Sequence, residues 1–172
     1  PWAADDLLAL SPGAYPWPAA MEVASQDKRE RKMVFKDFLF SLAAIALVDF
    51  VWIGLVANRF YLQQFGPMAA LTPDGTFQVV YWAAIGVYLL LALSVAAFVL
   101  PLARQHLGSA LAYGALLGFC VYGVYDLTNH ATLRHWPLPL VAVDWAWGSV
   151  LCALVSAATA WAGARWWPVG GI

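Results

Sequence analysis

Charge is what this sequence has least of. Only 11% of its 172 residues are Asp, Glu, Lys or Arg, against about a quarter in a soluble domain, too few to build a water-facing surface. The nine basic and ten acidic residues nearly cancel, to a formal net charge of -1, which leaves no electrostatic case for nucleic acid as a partner. Cysteine is scarce as well. Cys120 and Cys152 are the only two, both inside apolar runs and without C-x-x-C spacing. A disulfide or a thiolate metal site has no support, and each reads as a small buried apolar residue. There is no G-x-S-x-G, no H-E-x-x-H and no phosphate-cradling glycine loop, which sets aside several common soluble chemistries.

What is present is apolar: 63% of the residues, with a mean hydropathy of +0.70. These residues gather into four runs free of Lys and Arg, at about 37–57, 77–100 (stopped by Pro101), 107–127 and 138–162. Each reaches the roughly 20 residues that a helix needs to cross the hydrocarbon core, whereas barrel strands would be shorter and alternate in polarity. The expected fold is therefore all-α: an integral membrane bundle of four transmembrane helices over 34–167, preceded by a polar, proline-rich tail over 1–33.

The basic residues give the orientation. Lys28, Arg29, Arg31, Lys32 and Lys36 precede the first run, Arg104 lies between the second and third, and Arg165 follows the fourth. Only Arg59 and Arg134 fall on the other side. The positive-inside bias places both termini in the cytoplasm, and the "DKRERKMVFK" cluster would sit near anionic headgroups. Phe60, Tyr61, Phe65, Trp136, Trp161, Trp166 and Trp167 stand at the borders of the runs, where aromatic rings serve as interfacial anchors.

Two features point to contacts. Gly114 and Gly118 form a G-x-x-x-G in the third run, a packed face on which another helix can approach closely. The tail has prolines at 12, 16 and 18 and its basic residues come after its apolar ones, unlike a secretory signal. "DDLLAL" suits one short helical turn, and "SPGAYPWP" an extended or turned segment. Trp2, Tyr15 and Trp17 are the tail's candidates for contact with a partner protein.

The polar residues inside the apolar runs carry the chemistry. Asp49 lies mid-span in "LVDFVWIG", where a carboxylate costs about 2.5–3.5 kcal/mol on insertion scales and should face the bundle interior. Asp144 is in the outer part of the fourth run and Asp126 at the outer end of the third. At about 1.5 Å per residue the three could lie within roughly 10–15 Å of one another in depth. In "YDLTNHATLRHW", a third helix reaching residue 130 would put Asp126 and His130 on one face, flanked by Thr128 and Asn129, with Arg134 a turn further out. Asp126 and His130 could exchange a proton, with Asn129 fixing the imidazole tautomer. The two are too few for a metal site, and a lone His130 does not establish a pigment or haem. Equally, Asp126, Asn129 and His130 could simply end the helix and reach interfacial water. "DFVWIG" and "DWAWG" share a D-x-x-W, which puts Asp and Trp on one helix face. They fall in the first and fourth runs, which do not correspond in a 2+2 duplication, so they make no internal repeat.

The segments "VDFVWIGLVANRFY", "YGVYDLTNHATLRHWP" and "VDWAWG" resemble the signature of a small bacterial membrane-protein family, the domain of unknown function numbered 2177. The resemblance spans about 34–165, and Y-D-L-T-N-x-A-T-L-x-x-W is its most specific part. It implies a four-span bacterial inner-membrane protein and groups Asp49, Trp52, Asp126, Asn129, Asp144 and Trp147, with no reaction attached; the tail is an extension to it. Two functions follow as expectations. One is an accessory or scaffolding subunit of a larger respiratory or photosynthetic membrane complex, bound through the tail and the third span and holding a lipid, quinone or pigment. The other is a membrane enzyme acting on a fatty-acyl or isoprenoid chain. There Asp126 and His130 would do acid–base work, Asp49 or Asp144 would stabilise positive charge, and Trp52, Trp145 and Trp147 would shape an apolar pocket. A transporter is the weaker expectation, because four spans are few and none is clearly broken by glycine and proline.

Overall fold

The computed structural model describes residues 17–103 and 106–168. Trp2 and Tyr15 lie outside the described residues, as does the side chain of Trp17, and so does the contact expected of them. The chain divides into two compact units between Met33 and Val34. In the first, the described residues are helical from Trp17, so Pro18 stands in the first turn of a helix, while the rest of the segment expected to be extended or turned lies outside the described residues. A proline at the start of a helix gives up only an N–H that has no helical partner anyway. Asp27 and Arg31 pair at 3.1 Å on its exposed surface, one helical turn apart.

Four helices are long and apolar enough to cross a membrane, Val23–Val56, Tyr81–Ala103, Leu107–Thr132 and Leu138–Trp166; the second unit holds the last three and the first from Val34 onward. We number the helices α1 (Trp17–Val51, continued by a π turn over Trp52–Val56), α2 (the short Asn58–Phe65), α3 (Tyr81–Ala103), α4 (Leu107–Thr132) and α5 (Leu138–Trp166). No strand occurs among the described residues; a single bridge pairs Leu71 with Phe77 in the connection before α3.

The boundaries of the second and third spans differ from those read in the sequence. Phe77 belongs to the folded connection and α3 starts four residues later, at Tyr81. Pro101 does not stop α3, because a π turn over Val95–Val99 precedes it. There the Leu100 N–H reaches back to the Val95 carbonyl, and this wider turn carries the helix into a residue that has no N–H of its own. α4 continues to Thr132, so Asp126, Asn129 and His130 all lie on a helix.

Leu47, Phe50, Leu90, Leu93, Phe98 and Val124 are exposed, as side chains facing lipid must be. α4 and α5 form the tightest seam. A methyl group on Gly114 would come within 2.5 Å of the Cys152 carbonyl and 2.6 Å of Ser156 Oγ, and one on Gly118 would collide with the Gly148 backbone. The G-x-x-x-G face therefore packs inside the chain, against small residues four apart on α5. Gly148 in turn has no room for a side chain under the Tyr122 ring.

α1 joins this seam through Ile45, which packs with Leu91, Leu151, Cys152 and Val155, and through Ser41 Oγ at 3.0 Å from Thr159 Oγ1. At the end of the bundle where α5 stops, the Trp167 indole donates to Asp37 at 2.8 Å and the Lys36 ammonium stands 5.9 Å from the same ring. Cys152 is buried as expected but Cys120 is exposed. It lies on the outer side of α4, where lipid accepts the thiol as readily as a protein core does.

Candidate functional site

At the opposite end of the bundle the four long helices enclose a chamber of about 410 Å³ whose wall includes Asp49, Asp144, Tyr61, Tyr122, Trp136 and Trp147. A second cavity of about 520 Å³, lined by Leu90, Leu91, Ser94 and Val121, lies beside it. Val87, Tyr122, Tyr125 and Asp144 belong to both, so the chamber and this more apolar annex between α3 and α4 share a wall.

Asp49 enters from α1 and is 5% exposed. Its two oxygens accept separate hydrogen bonds, from the Tyr88 hydroxyl of α3 at 2.9 Å and from the Trp147 indole of α5 at 3.1 Å. Three helices are thereby tied at one carboxyl. Asp144 enters from α5 and accepts from the Tyr61 hydroxyl at 2.5 Å. The Trp52 indole donates to that same hydroxyl at 3.4 Å, and the Trp52 and Trp147 rings stack with centroids 4.2 Å apart and planes 9° from parallel.

The π turn after Asp49 is what brings Trp52 and Tyr61 here. The Ala57 N–H bonds the Trp52 carbonyl five residues back, at 2.7 Å, which re-aims the chain into α2. Burial, and then the Asp144 carboxyl, push the Tyr61 phenol above its ordinary range, so Tyr61 remains a donor at neutral pH.

α2 and the connection after it form a lid. The Phe65 ring lies 5.7 Å from Trp136, 5.9 Å from Phe77 and 6.1 Å from Tyr61. The sequence reading placed Tyr61, Phe65 and Trp136 at the lipid interface, but Tyr61 and Trp136 are buried over the chamber. The reason is the turn between α4 and α5. His135 adopts φ 67°, a left-handed conformation costing an L residue about 1–2 kcal/mol, and the chain then doubles back to point Trp136 inward.

The polar stretch of α4 divides. Asp126 is completely buried and lies against the Asp144 carboxyl, with no hydrogen bond of good geometry to either of its oxygens. Its electrostatic neighbours are Asp144 and Trp136. The Trp136 indole N–H, also buried, lies close to it without reaching bonding geometry. His130 is exposed and bonds the Trp136 carbonyl through Nδ1 at 2.9 Å. A carbonyl can only accept, so Nδ1 carries the proton. Asn129 stands beside the Tyr125 hydroxyl, its carbonyl receives the Leu133 N–H, and the Thr132 hydroxyl bonds the Thr128 carbonyl.

Asp49, Trp52, Asp144 and Trp147 thus form one connected network, with Asp126 beside it, while Asn129 and His130 serve the end of α4. Trp145 lies apart from the chamber, against Gly123 and with its N–H on the Phe119 carbonyl at 2.7 Å. Sequence reasoning missed Tyr61 and Tyr88, which carry two of the network's hydrogen bonds. Only the tyrosine hydroxyl marks them, and seven tyrosines share it. No group of three or more His, Cys, Asp or Glu able to hold a metal ion occurs among the described residues.

Residues 34–161 match the model of a family described as predicted membrane protein (DUF2177). The chain belongs to that family. The match contains every residue of the network and both ends of the α4–α5 turn. No curated protein and no solved structure matches this member of the family.

Proposed function

We propose that this multi-pass membrane protein holds a lipophilic molecule, with its polar end in the chamber between α1 and α5 and its apolar part in the annex between α3 and α4. The observation that carries the reading is the adjacency of the two cavities, which share Val87, Tyr122, Tyr125 and Asp144. Binding sites of this kind are concave and mostly apolar, with a few convergent polar groups. Ionisable residues within a membrane span mark function by default, and here two of them are fixed in place by aromatic donors. The positive-inside bias puts both termini in the cytoplasm of a bacterial inner membrane, and hence the chamber in the outer half of the bilayer.

The test is purification in a mild detergent followed by mass spectrometry of the organic extract, beside the Val87→Trp variant, which fills the junction of the two cavities. A lipophilic molecule near one per chain in the wild type and absent from a folded Val87→Trp supports the reading. Identical extracts from the two proteins sink it. The same purification decides whether the chamber works as an accessory subunit of a larger respiratory or photosynthetic complex, by the proteins that accompany it.

Asp126 favours a second reading, an enzyme acting on a fatty-acyl or isoprenoid chain. A fully buried carboxyl against the Asp144 carboxyl is placed to pass a proton to or from it. Asp126→Asn would then keep the bound molecule and leave it unconverted, which the same mass spectra report.

A further inference from the structure

The chamber has a surplus of acceptors. Two carboxyls line it, and the protein donors that reach them number three: Tyr88 and Trp147 for Asp49, Tyr61 for Asp144. An ionised carboxylate offers about four acceptor sites, so most of this capacity is unmet. No Lys, Arg or His lines the chamber, and the one ion pair among the described residues, Asp27–Arg31, is exposed in the other unit.

The remaining wall is aromatic, with Tyr61, Tyr122, Tyr125, Trp136 and Trp147 beside the acids. Aromatic faces attract a cation, most strongly where water is displaced. A purely anionic head, with no positive group of its own, would meet like charge and no basic partner. The acids do not converge into a metal-holding set, which favours a larger, organic cation. Asp126 lies behind this wall, completely buried against Asp144 and Trp136.

We propose that the chamber recognises the cationic head of a lipophilic amine, a protonated or quaternary ammonium, held between Asp49 and Asp144 and the surrounding rings with its alkyl chain in the annex. This rests on the ligand-holding reading above and specifies the ligand's charge. Recognition by charge and ring faces does not require the head to donate hydrogen bonds, so quaternary and protonated amines both fit.

The experiment is a probe series with one alkyl chain and three heads, added to the full-length protein in dodecyl maltoside and read by quenching of tryptophan fluorescence. Dodecyltrimethylammonium should bind at least about tenfold more tightly than dodecanol, the scale of one desolvated cation–aromatic contact, and dodecyl sulfate should not bind. Asp49→Asn and Asp144→Asn, near-isosteric changes checked for an unchanged helical spectrum, should each remove that preference. Asp37→Asn, which alters an acid outside the chamber, should keep it. Phosphatidylethanolamine added to the micelles separates two sources of the same chemistry: displacement of the probe assigns a lipid headgroup amine, and no displacement a free amphiphilic amine. Equal binding of dodecanol and dodecyltrimethylammonium would overturn the cationic head while leaving the pocket standing. Binding of none of the three would overturn the pocket itself.

Discussion

Trp52 of α1 and Trp147 of α5 stack almost parallel, 4.2 Å between ring centroids, and each indole serves the acid of the other's D-x-x-W. Trp147 donates to Asp49, while Trp52 donates to the Tyr61 hydroxyl that bonds Asp144. The two short motifs are therefore not copies of one unit. They are halves of one interlocked contact between the first and last spans.

Trp147→Phe keeps most of the ring and removes its N–H, leaving one oxygen of Asp49 without a partner. The expected loss is about 1–3 kcal/mol, read as a lower melting temperature in detergent. Trp52→Phe should cost less, because its bond is 3.4 Å long and Tyr61 keeps Asp144. The reverse order would contradict the network.

Gly118→Ala places a methyl group onto the Gly148 backbone, where no flexible side chain can give way. Overpacking of this kind costs about 1–3 kcal/mol and should lower the melting temperature sharply. Gly108→Ala has nothing within 4 Å and should be tolerated, so equal effects would show that the α4–α5 seam is looser than described.

Asp126 and His130 should separate. A buried carboxyl set against another carboxyl, with no hydrogen bond of good geometry, is costly, so Asp126→Leu is expected to raise stability in the ligand-free protein by about 1–3 kcal/mol. His130→Ala gives up the bond to the Trp136 carbonyl and should lower stability by about 0.5–1.5 kcal/mol. Denaturation midpoints of the two variants check both signs, and a destabilised Asp126→Leu would mean that the carboxyl has a protein partner after all.

Tyr61 sets an alkaline limit. Its folded-state pKa is raised from the ordinary 10.0, first by burial and then by Asp144. In the unfolded chain the phenol deprotonates near that ordinary value, so above it the unfolded state binds fewer protons and stability falls with pH. The Tyr61→Phe variant, less stable at neutral pH, should lose less stability than the wild type as pH rises past 10.0. Parallel losses in chemical denaturation across that range would rule out the burial of this hydroxyl.

Much of the site lay open in the sequence as a set of residues and little of it as a set of partners. Asp49 was certain to face inward, since lipid cannot solvate a carboxylate, and Asp144 and Asp126 fell at a compatible depth. Which donors would meet them was not legible. Tyr88 stands on a helix whose other positions are almost all apolar, and Tyr61 sits in a border stretch that reads as an interfacial anchor. The π turn after Asp49 brings Tyr61 inward as the left-handed His135 brings Trp136, and neither leaves a local mark strong enough to read.

The sequence by itself determined that the chain crosses a membrane, in four helices, because a hydrocarbon layer about 30 Å thick demands apolar runs of a certain length and satisfies their backbones only as helices. It also determined that the third span has a packing face, because two glycines four apart expose backbone to a neighbour. Which neighbour took that face, and which side of each span turned inward, were decided by the tertiary structure. In water a helix declares its buried side by polarity, but in lipid both sides are equally apolar. The choice passes to shape and to a few hydrogen bonds: Gly118 against Gly148, Ser41 against Thr159, Tyr88 and Trp147 against Asp49. Those contacts exist only once the helices have met.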